Sequence, residues 1–434
     1  MTNPWDHPGW REAAEEYAAE HARQKPQLVS SCDWRKLCLL SDKRKPLSVF
    51  RNVMVALRND PAFSDAIGYD DFYKRPVLWR PLGNGARLAD PLAITDKHIA
   101  DIQEWMQQAG LRQIGHDNVK RAIDSYAREH VFHPVRDYLD PLIWDQQPRV
   151  EHWLSDVFGV ERNPYHAAIG RLFLIAMVAR IYDPGCKADY MLVIEGEQGK
   201  LKSMVCAKLA QPWFSDSLPE LTAGGKDAFM HLRGKWLLEI PEMHAFNKAE
   251  SNHLKSFLTR VAERYRPPYA EHEVDEPRQC LFIGTTNKEI YLKDETGGRR
   301  FWPFKAVHIS VDRLEQTRDQ LLAEAKTLWN DGAQHWPSAA FEAQYCAPQQ
   351  AARYDGDAWI EPIASYLNGK IQTTLMEIAI YALGFAKDRL GTQEQNRIKR
   401  VLTDIQWQRS GRNNVGTTVF KPRYPTPPEP LESA

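Results

Sequence analysis

Residues 190–203 read YMLVIEGEQGKLKS, an apolar run that leads into a glycine-containing turn and a Lys-Ser pair. An apolar run between turn residues is typical of a buried strand, and the breaker Asp183-Pro184-Gly185 separates this one from the apolar helix pattern of residues 165–181. In a phosphate-binding loop, backbone N–H groups turn toward the phosphates, a lysine reaches the β and γ phosphates, and a Ser hydroxyl binds the magnesium ion. The stretch therefore predicts a strand-turn-helix unit that binds ATP with Mg²⁺.

The match to the general pattern G-x-x-x-x-G-K-[ST] has one departure. With Gly196 as the first glycine, the second glycine is expected at position 201, where the chain has Leu201. A bulky residue disfavours a positive φ, so the sequence predicts either a different loop geometry or weaker phosphate binding. In this interpretation Lys202 contacts the phosphates and Ser203 the magnesium ion. The candidate nucleotide-binding residues are Gly196, Glu197, Gln198, Gly199, Lys200, Leu201, Lys202 and Ser203.

Composition indicates a folded protein of several domains. The 434 residues are 43% hydrophobic and include 14 Trp, which is enough for two to four cores. Lys plus Arg (56) balance Asp plus Glu (57), so contact with nucleic acid depends on local basic patches. The six cysteines form no CxxC pair, and no apolar run approaches the roughly 20 residues that span a bilayer. These features predict a cytoplasmic protein with reduced thiols and no membrane contact.

Two further apolar runs end in polar residues that suit ATP chemistry. The run 235–242 (KWLLEIPE) ends in carboxylates, and the run 280–287 (CLFIGTTN) ends in an asparagine. Ligands of open α/β sheets bind beyond the carboxyl ends of the strands. Glu239 and Glu242 are therefore candidates for the metal and for polarising the attacking water, and Asn287 for orienting that water. The alternative is that the acids are solvated loop residues and the asparagine a turn former.

An arginine pair follows a pair of glycines in TGGRRFW (residues 296–302). Arg299 or Arg300, supplied by a neighbouring subunit, is a candidate for stabilising the charge on the transferred phosphoryl group. The alternative is surface charge or a structural ion pair. Phosphate loop, acidic strand end, Asn strand end and Arg pair occur in the order of an AAA+-type ATPase, and agreement between several independent features favours that interpretation.

Several longer runs carry a family resemblance that covers roughly residues 50–335. They are HPVRDYL (133–139), WDQQPRVEHWL (144–154), DPGCKADYMLVIEGEQG, RGKWLLEIPEM, RYRPPY, RQCLFIGTTNKEIYL and TGGRRFWPF. The sequence resembles the virulence-associated protein E family, P-loop ATPases of phages, prophages and mobile islands that are similar to superfamily 3 helicases. The resemblance implies that Lys202 and Ser203 are the Walker A residues, Glu239 and Glu242 the Walker B region, Asn287 sensor 1, and Arg299 or Arg300 the arginine finger.

The elements predict an α/β protein with an AAA+-type P-loop ATPase core, a helical N-terminal domain and a C-terminal winged-helix-like domain. Three short helical patterns and two strands around a polar turn give the C-terminal layout. The expected segments are a peripheral segment (1–47), the helical domain (48–160), the ATPase domain (161–335), the winged-helix-like domain (358–424) and a disordered tail (425–434).

Two basic regions are candidates for contact with DNA. Cations and aromatic rings before the Asn strand suit a hairpin that grips a strand by charge and stacking, as in related hexameric helicases. The C-terminal domain has a basic third helix and wing. The alternatives are pairing of the hairpin arginines with the acids at 271–276, and a C-terminal domain that packs on neighbouring subunits. The candidate DNA-binding residues are Arg264, Arg266, Tyr269, His272, Arg397, Lys399, Arg400 and Arg412.

The sequence thus favours an ATP-dependent helicase or translocase that acts on single-stranded or forked DNA as a ring, expected to be a hexamer. The alternative is an initiator or scaffold that uses ATP only to assemble. A metabolic kinase is disfavoured, since the sequence offers no acceptor site. No primase metal site is visible, so primer synthesis would come from a separate primase or other replication protein.

Overall fold

The computed structural model describes residues 33–83, 85–217, 226–243, 248–267, 272–292, 295–354, 359–386, 390–412 and 416–423. Among these, residues up to Lys288 and Arg299–Pro348 form one compact unit, and Glu289–Gly298 with the described residues from Gln349 onward form a second. The predicted tail at 425–434 and most of the predicted peripheral segment lie outside the described residues.

The N-terminal part of the first unit is a mixed α/β structure. Its helices are Phe50–Asn59, Asp96–Gln108 and His116–Ala127, and its strands are β1 (Ile67–Asp70), β2 (Arg75–Leu78), β3 (Leu92–Ala93) and β4 (Val131–Phe132). The strands form one sheet in the order β3-β2-β1-β4. The prediction of a helical domain was therefore incomplete. The four strands have two to four residues each, too few for a period-2 pattern to stand out from the helical periodicity around them.

The predicted boundary at residue 160 differs from the packing. Apolar residues between Trp34 and Ala127 form one hydrophobic cluster, which includes Ile102. The helices Pro134–Leu139 and Trp153–Phe158 instead bury their apolar side chains in the next cluster, together with the long helix Pro164–Tyr182. The core of the central part therefore begins near residue 134.

The central part is built on a five-stranded parallel sheet. Its strands are β5 (Met191–Glu195), β6 (Phe214–Ser215), β7 (Leu237–Ile240), β10 (Leu281–Thr286) and β11 (Phe301–Lys305), and the hairpin strands β8 (Ala262–Tyr265) and β9 (Val274–Pro277) lie between β7 and β10 in sequence. The sheet order is β11-β5-β10-β7-β6, and every neighbouring pair is parallel. Both faces of β5, β7 and β10 are buried, which explains why these strands read as continuous apolar runs.

The sheet is covered by helices formed from the connecting segments. These are Lys202–Ala210, Lys226–His231 and Lys248–Leu258, and they are joined by Pro164–Tyr182 before the first strand and Val311–Asn330 after the last. Pro164–Tyr182 is long and apolar enough to cross a membrane by those two criteria, contrary to the expectation that no run approaches this length. However, 72% of its most apolar window is buried inside the protein, and Trp236 Nε1 donates a 2.8 Å hydrogen bond to its Met177 carbonyl. It is the central helix of the core.

The C-terminal unit has its own small core around Ile363, Ile398 and Trp407. Its main helices are Ile360–Leu367, Leu375–Glu377 continuing as a π-helix over Ile378–Ala382, and Thr392–Asp404. The strands β12 (Thr373–Thr374), β13 (Trp407–Arg412) and β14 (Thr418–Pro422) form an antiparallel sheet in the order β12-β14-β13. The three helices and the hairpin lie where the sequence predicted them. The short strand β12 was not predicted.

Candidate functional site

The sheet order brings three strand ends together at one edge. β10 lies between β5 and β7, with Thr286 opposite Glu195 and Gly284 opposite Ile240. The turn that follows β5 is tied to this edge, because the Gly196 N–H donates a 3.1 Å hydrogen bond to the Thr286 carbonyl. Although β5, β7 and β10 are far apart in sequence, their carboxyl ends therefore line one site.

The backbone of Leu201 shows whether the missing glycine changes the geometry of the turn. It has φ 55° and ψ 15°, the left-handed conformation usually left to glycine, and it directly precedes the helix Lys202–Ala210. Its side chain is 46% exposed, so no packing clash opposes this backbone. The expected change of loop geometry at position 201 is therefore not found. Gly199 is also left-handed at φ 82°, and a Cβ there would meet open space.

Lys202 closes the turn with its ammonium group. Its Nζ donates 2.7 Å hydrogen bonds to the carbonyl oxygens of both Gly196 and Glu197. Burial lowers the pKa of Lys202 below its ordinary value, although the nearby Glu239 carboxylate opposes this. The ammonium thus lies within the turn, held by two neutral carbonyls and partly removed from water.

Ser203 and Glu239 meet across the edge of the sheet. The Ser203 hydroxyl donates a 2.8 Å hydrogen bond to Glu239 Oε1, and Thr285 Oγ1 donates a second one of 2.6 Å to the same oxygen. Glu239 is only 1% exposed, and its Oε2 is buried with no hydrogen-bond partner among the described residues. A buried carboxylate oxygen without a donor is costly, and it marks a place where a cation or a water would be stabilised.

The pKa of Glu239 is shifted in the direction expected from its burial. Burial raises the pKa of Glu239 above its ordinary value, the hydrogen bonds from Thr285 and Ser203 oppose the rise, and the charge of Asp216 adds to it. A carboxyl group and an ammonium group that are both disfavoured in their charged forms are typical of functional sites. A cation at Glu239 and an anion at Lys202 would relieve both.

Glu242 and Asn287 lie at the same edge but are exposed to solvent. Glu242 follows β7 and has φ 49°, a left-handed backbone that a glutamate rarely adopts. Asn287 directly follows β10, whose end is bonded to Gly196. The structure therefore brings Ser203 of the turn into contact with Glu239, and it places Glu242 and Asn287 shortly after two of the strands that end at this edge.

Arg299 and Arg300 are not part of this edge within one chain. They end the 3₁₀-helix Glu295–Arg300 and so precede β11, which runs parallel to β5. At about 3.3 Å per residue, the five residues of β11 separate them from the carboxyl edge by about 16 Å. Arg299 is exposed, whereas Arg300 is half-buried and its Nε has no partner among the described atoms. Either arginine could reach such an edge only on another copy of the chain.

The predicted hairpin is present as the antiparallel pair β8 and β9. Arg264 on β8 is exposed but pairs with Glu273 at 2.8 Å, as the alternative interpretation expected. Arg266 and His272 are exposed at the ends of the hairpin strands, and Tyr269 lies outside the described residues. Exposure keeps Arg266 and His272 as candidates for contact with a partner.

The predicted C-terminal cations fall into different environments. The Arg397 guanidinium lies 3.9 Å from the centre of the Trp359 ring, so this half-buried residue packs against its own unit. Lys399, Arg400 and Arg412 are exposed. Of the four, Arg397 is thus the one least suited to contact a ligand.

Two residues of the site were missed in the sequence. The sequence predicted Thr285 only as a strand residue, yet its hydroxyl donates a hydrogen bond to Glu239 Oε1. Asp216 directly follows β6 and acts on Glu239 through its charge. A polar residue inside an otherwise apolar strand and an acid directly after a strand were the available signals.

The donor set fits magnesium rather than a transition metal. A Ser hydroxyl and a carboxylate are hard oxygen ligands, and magnesium is usually held by one or two carboxylates together with substrate phosphates. Within the described part of the chain no group of three or more His, Cys, Asp or Glu is placed so that it could hold a metal ion. Ser203 and Glu239 would hold such an ion jointly with a bound triphosphate.

A parallel α/β sheet with polar side chains gathered at its carboxyl edge defines the class as an α/β protein with a ligand site at that edge. The chain belongs to the virulence-associated protein E-like family, whose domain profile matches residues 139–355. No curated protein matches the sequence. The A form apo structure of the NrS-1 C-terminal region is similar with a TM-score of 0.45 and 13% identity, over 82% of this chain and 95% of that chain. A second apo structure of the same region gives a TM-score of 0.42 and 14% identity, over 82% and 95% of the two chains.

Replacing Leu201 with glycine is expected to preserve the turn and to raise stability. A left-handed backbone costs a non-glycine residue roughly 1–2 kcal/mol, and the greater freedom of glycine in the unfolded chain offsets part of that gain. Leu201→Gly should therefore shift the thermal midpoint upward by a small amount and leave nucleotide affinity equal or higher in a calorimetric titration.

Met204→Gly is a matched control, since Met204 is similarly exposed at 44% and lies in the first turn of the adjoining helix. It should lose about 1 kcal/mol, because glycine is unfavourable in a helix. If Leu201→Gly lowers the midpoint as much as the control does, relief of backbone strain at Leu201 is smaller than the entropy that glycine adds to the unfolded chain.

Proposed function

We propose that this protein is an ATP-dependent motor on DNA, a P-loop ATPase of the AAA+ type, similar to superfamily 3 helicases, that serves the replication of a phage or mobile element. The observation that carries the proposal is the contact between Ser203 and Glu239 beside the Lys202 ammonium, at the carboxyl edge of a parallel sheet. A hydroxyl, a buried carboxylate and an ammonium in this arrangement suit a magnesium triphosphate. Family membership points in the same direction.

The turn and the helix that follows it would bind the phosphates. The left-handed residues Gly199 and Leu201 shape the turn, and the helix Lys202–Ala210 presents its free N–H groups and positive dipole end to an anion. Lys202 would exchange its two carbonyl acceptors for phosphate oxygens without moving far. Because the ammonium is already partly desolvated, this exchange costs little further hydration.

Ser203 and Glu239 would hold Mg²⁺, which when bound neutralises charge that develops on the β and γ phosphate oxygens. Ser203 would release its hydrogen bond to Glu239, while Thr285 keeps the carboxylate oriented through Oε1. Glu242, exposed three residues further on, is the better candidate for the base that takes a proton from the attacking water. Asn287 would orient that water, because it follows the strand that lies between the turn and the acids.

An arginine from a neighbouring subunit would complete the site. Arg299 and Arg300 lie a strand length from the carboxyl edge of their own sheet, which supports action between subunits in a ring rather than within one chain. Arg299 is the better candidate, because it is exposed. Such an arginine raises phosphoryl transfer by about 10³–10⁵-fold where it has been measured.

Contact with DNA is proposed for the β8–β9 hairpin, through Arg266 and His272, and for the winged-helix-like C-terminal unit. The hairpin follows the acidic strand and precedes the strand that ends at Asn287. Movements at the nucleotide site would therefore reach the hairpin through β10 and through the helix Lys248–Leu258, which joins β7 to β8.

Strand displacement with purified protein tests the proposal and separates it from an initiator that only assembles. A forked duplex with a labelled strand should be unwound when ATP and Mg²⁺ are both present, and not when either is omitted. Nucleotide turnover and DNA binding without displacement would favour the initiator. No turnover of any nucleoside triphosphate, with or without DNA, would reject both.

A further inference from the structure

A cationic groove crosses the C-terminal unit. It lies between the end of the helix Thr392–Asp404 and the hairpin of β13 and β14, and it has a volume of about 530 Å³. Lys399 and Thr403 line it from the helix one turn apart, and Arg409 and Arg423 line it from the hairpin strands and the residue after them. The groove is concave, unlike the outer face of the helix on which Arg400 lies.

The shape of the groove is fixed by the core beneath it. Trp407 and Phe420 also line it and are only 9% and 6% exposed, because both pack into the cluster around Ile398. The Arg423 N–H donates a 2.8 Å hydrogen bond to the Gln406 carbonyl, which ties the end of β14 to the start of β13. The walls therefore come from rigid elements.

The segment that carries the groove is rich in cations. Residues 392–423 contain seven Lys and Arg against Glu394 and Asp404, a net charge of +5, whereas the whole chain has −1. Neither acid lines the groove. Lys399 bonds the neutral Asn396 side chain at 3.3 Å, and no carboxylate among the described residues forms an ion pair with Lys399, Arg409 or Arg423. This contrasts with Arg264 of the β8–β9 hairpin, which is paired.

We propose that this groove binds the phosphodiester backbone of DNA, with Lys399, Arg409 and Arg423 each neutralising a phosphate. Three unpaired cations along a concave polar channel suit a chain of regularly spaced anions. The rings of Trp407 and Phe420 are buried and not available for base stacking. Binding therefore depends on the backbone and is independent of sequence. The inference rests on the proposed action on DNA and specifies which surface of the C-terminal unit would contact the strand.

The test is the salt dependence of DNA binding by the full chain without nucleotide. Fluorescence anisotropy of a labelled oligothymidylate is measured over a range of salt concentrations for wild type and for the triple variant Lys399→Gln/Arg409→Gln/Arg423→Gln. Each lost phosphate contact lowers the slope of log K against log salt by about 0.7, so the triple variant should lose roughly 2. With duplex DNA the loss per contact rises to about 0.9.

A second triple variant, Arg400→Gln/Arg412→Gln/Lys421→Gln, removes the same charge from exposed positions outside the groove. It should lose clearly less of the slope. An equal or larger loss in this variant, or an unchanged slope in the groove variant, overturns the proposal.

A groove variant with normal DNA binding but altered assembly in size-exclusion chromatography would also overturn it, because the groove would then be a protein contact. ATP hydrolysis without DNA, measured in parallel, is expected to stay at the wild-type rate, which separates this proposal from failure of the proposed function.

Discussion

Lys202→Ala is expected to abolish ATP hydrolysis while the protein remains folded. The Lys202 ammonium lies within the turn, and its two hydrogen bonds go to carbonyl groups that alanine leaves accessible to water. Without the ammonium, the charge that moves onto the β and γ phosphate oxygens loses its nearest protein cation. A loss of at least about 100-fold in turnover is expected, or about 2.7 kcal/mol at 1.36 kcal/mol per factor of ten.

The measurement is steady-state release of phosphate, together with circular dichroism and thermal unfolding to establish that the fold is retained. Lys208→Ala is the matched control, because Lys208 lies in the last turn of the same helix and pairs with Glu315. It removes a lysine from the same element, and turnover should stay within about twofold, since an exposed ion pair contributes roughly 0–1 kcal/mol. Retained turnover in well-folded Lys202→Ala protein would remove the basis of the ATPase assignment.

Glu239→Gln is expected to lose hydrolysis and to gain stability. Glutamine has the same shape and keeps an oxygen for the hydrogen bonds from Ser203 and Thr285, but it provides no charge for a cation. Turnover should fall by about two orders of magnitude or more, the scale seen when one electrostatic group of an active site is removed. The magnesium concentration needed for half-maximal nucleotide binding should rise.

The stability effect of Glu239→Gln depends on pH, and its sign follows from the pKa. Burial raises the folded-state pKa of Glu239 above 4.5, so the folded protein holds the proton more tightly than the unfolded chain does. Ionised Glu239 therefore destabilises the fold at neutral pH, and this penalty disappears as the pH falls below the ordinary range of glutamate. The variant should unfold at a higher temperature than wild type near pH 7, and the difference should shrink at low pH.

Glu242→Gln is the comparison that separates the two carboxylates. Glu242 is exposed, so its substitution should leave the thermal midpoint almost unchanged and the magnesium requirement as in wild type, while turnover falls. If Glu242→Gln raises the magnesium requirement and Glu239→Gln does not, the two roles are reversed.

The central sheet was predictable because both of its faces are buried. Continuous apolar runs mark β5, β7 and β10, and each run ends at the polar residue that the structure places at the carboxyl edge. The sequence could not supply the sheet order, and it is this order that brings Glu239 to Ser203, 36 positions away in the chain. The contact therefore had to be expected from the resemblance to known ATPases rather than from spacing.

The remaining differences have local causes. The strands β1 to β4 were missed because they are short and alternate with strongly helical segments. Thr285 was missed because a threonine is a common strand residue, and nothing in the sequence shows that its hydroxyl meets a carboxylate. The sequence pattern groups Arg397 with its basic neighbours. The structure packs its guanidinium against Trp359, which lies 38 positions earlier in the chain. The misses at Thr285 and Arg397 thus concern contacts between distant segments, whereas the missed strands were too short to leave a pattern.

Leu201, with its left-handed backbone, stands where the pattern G-x-x-x-x-G-K-[ST] has its second glycine. A residue other than glycine can therefore occupy that position. A consensus written in letters records the residue that most easily tolerates a dihedral angle, whereas the chemistry requires only the angle itself. Any exposed side chain that can bear a modest torsional penalty can therefore occupy that place. Motif searches that demand glycine will overlook sequences of this kind, and searches that score backbone tolerance together with the following Lys-Ser pair will recover them.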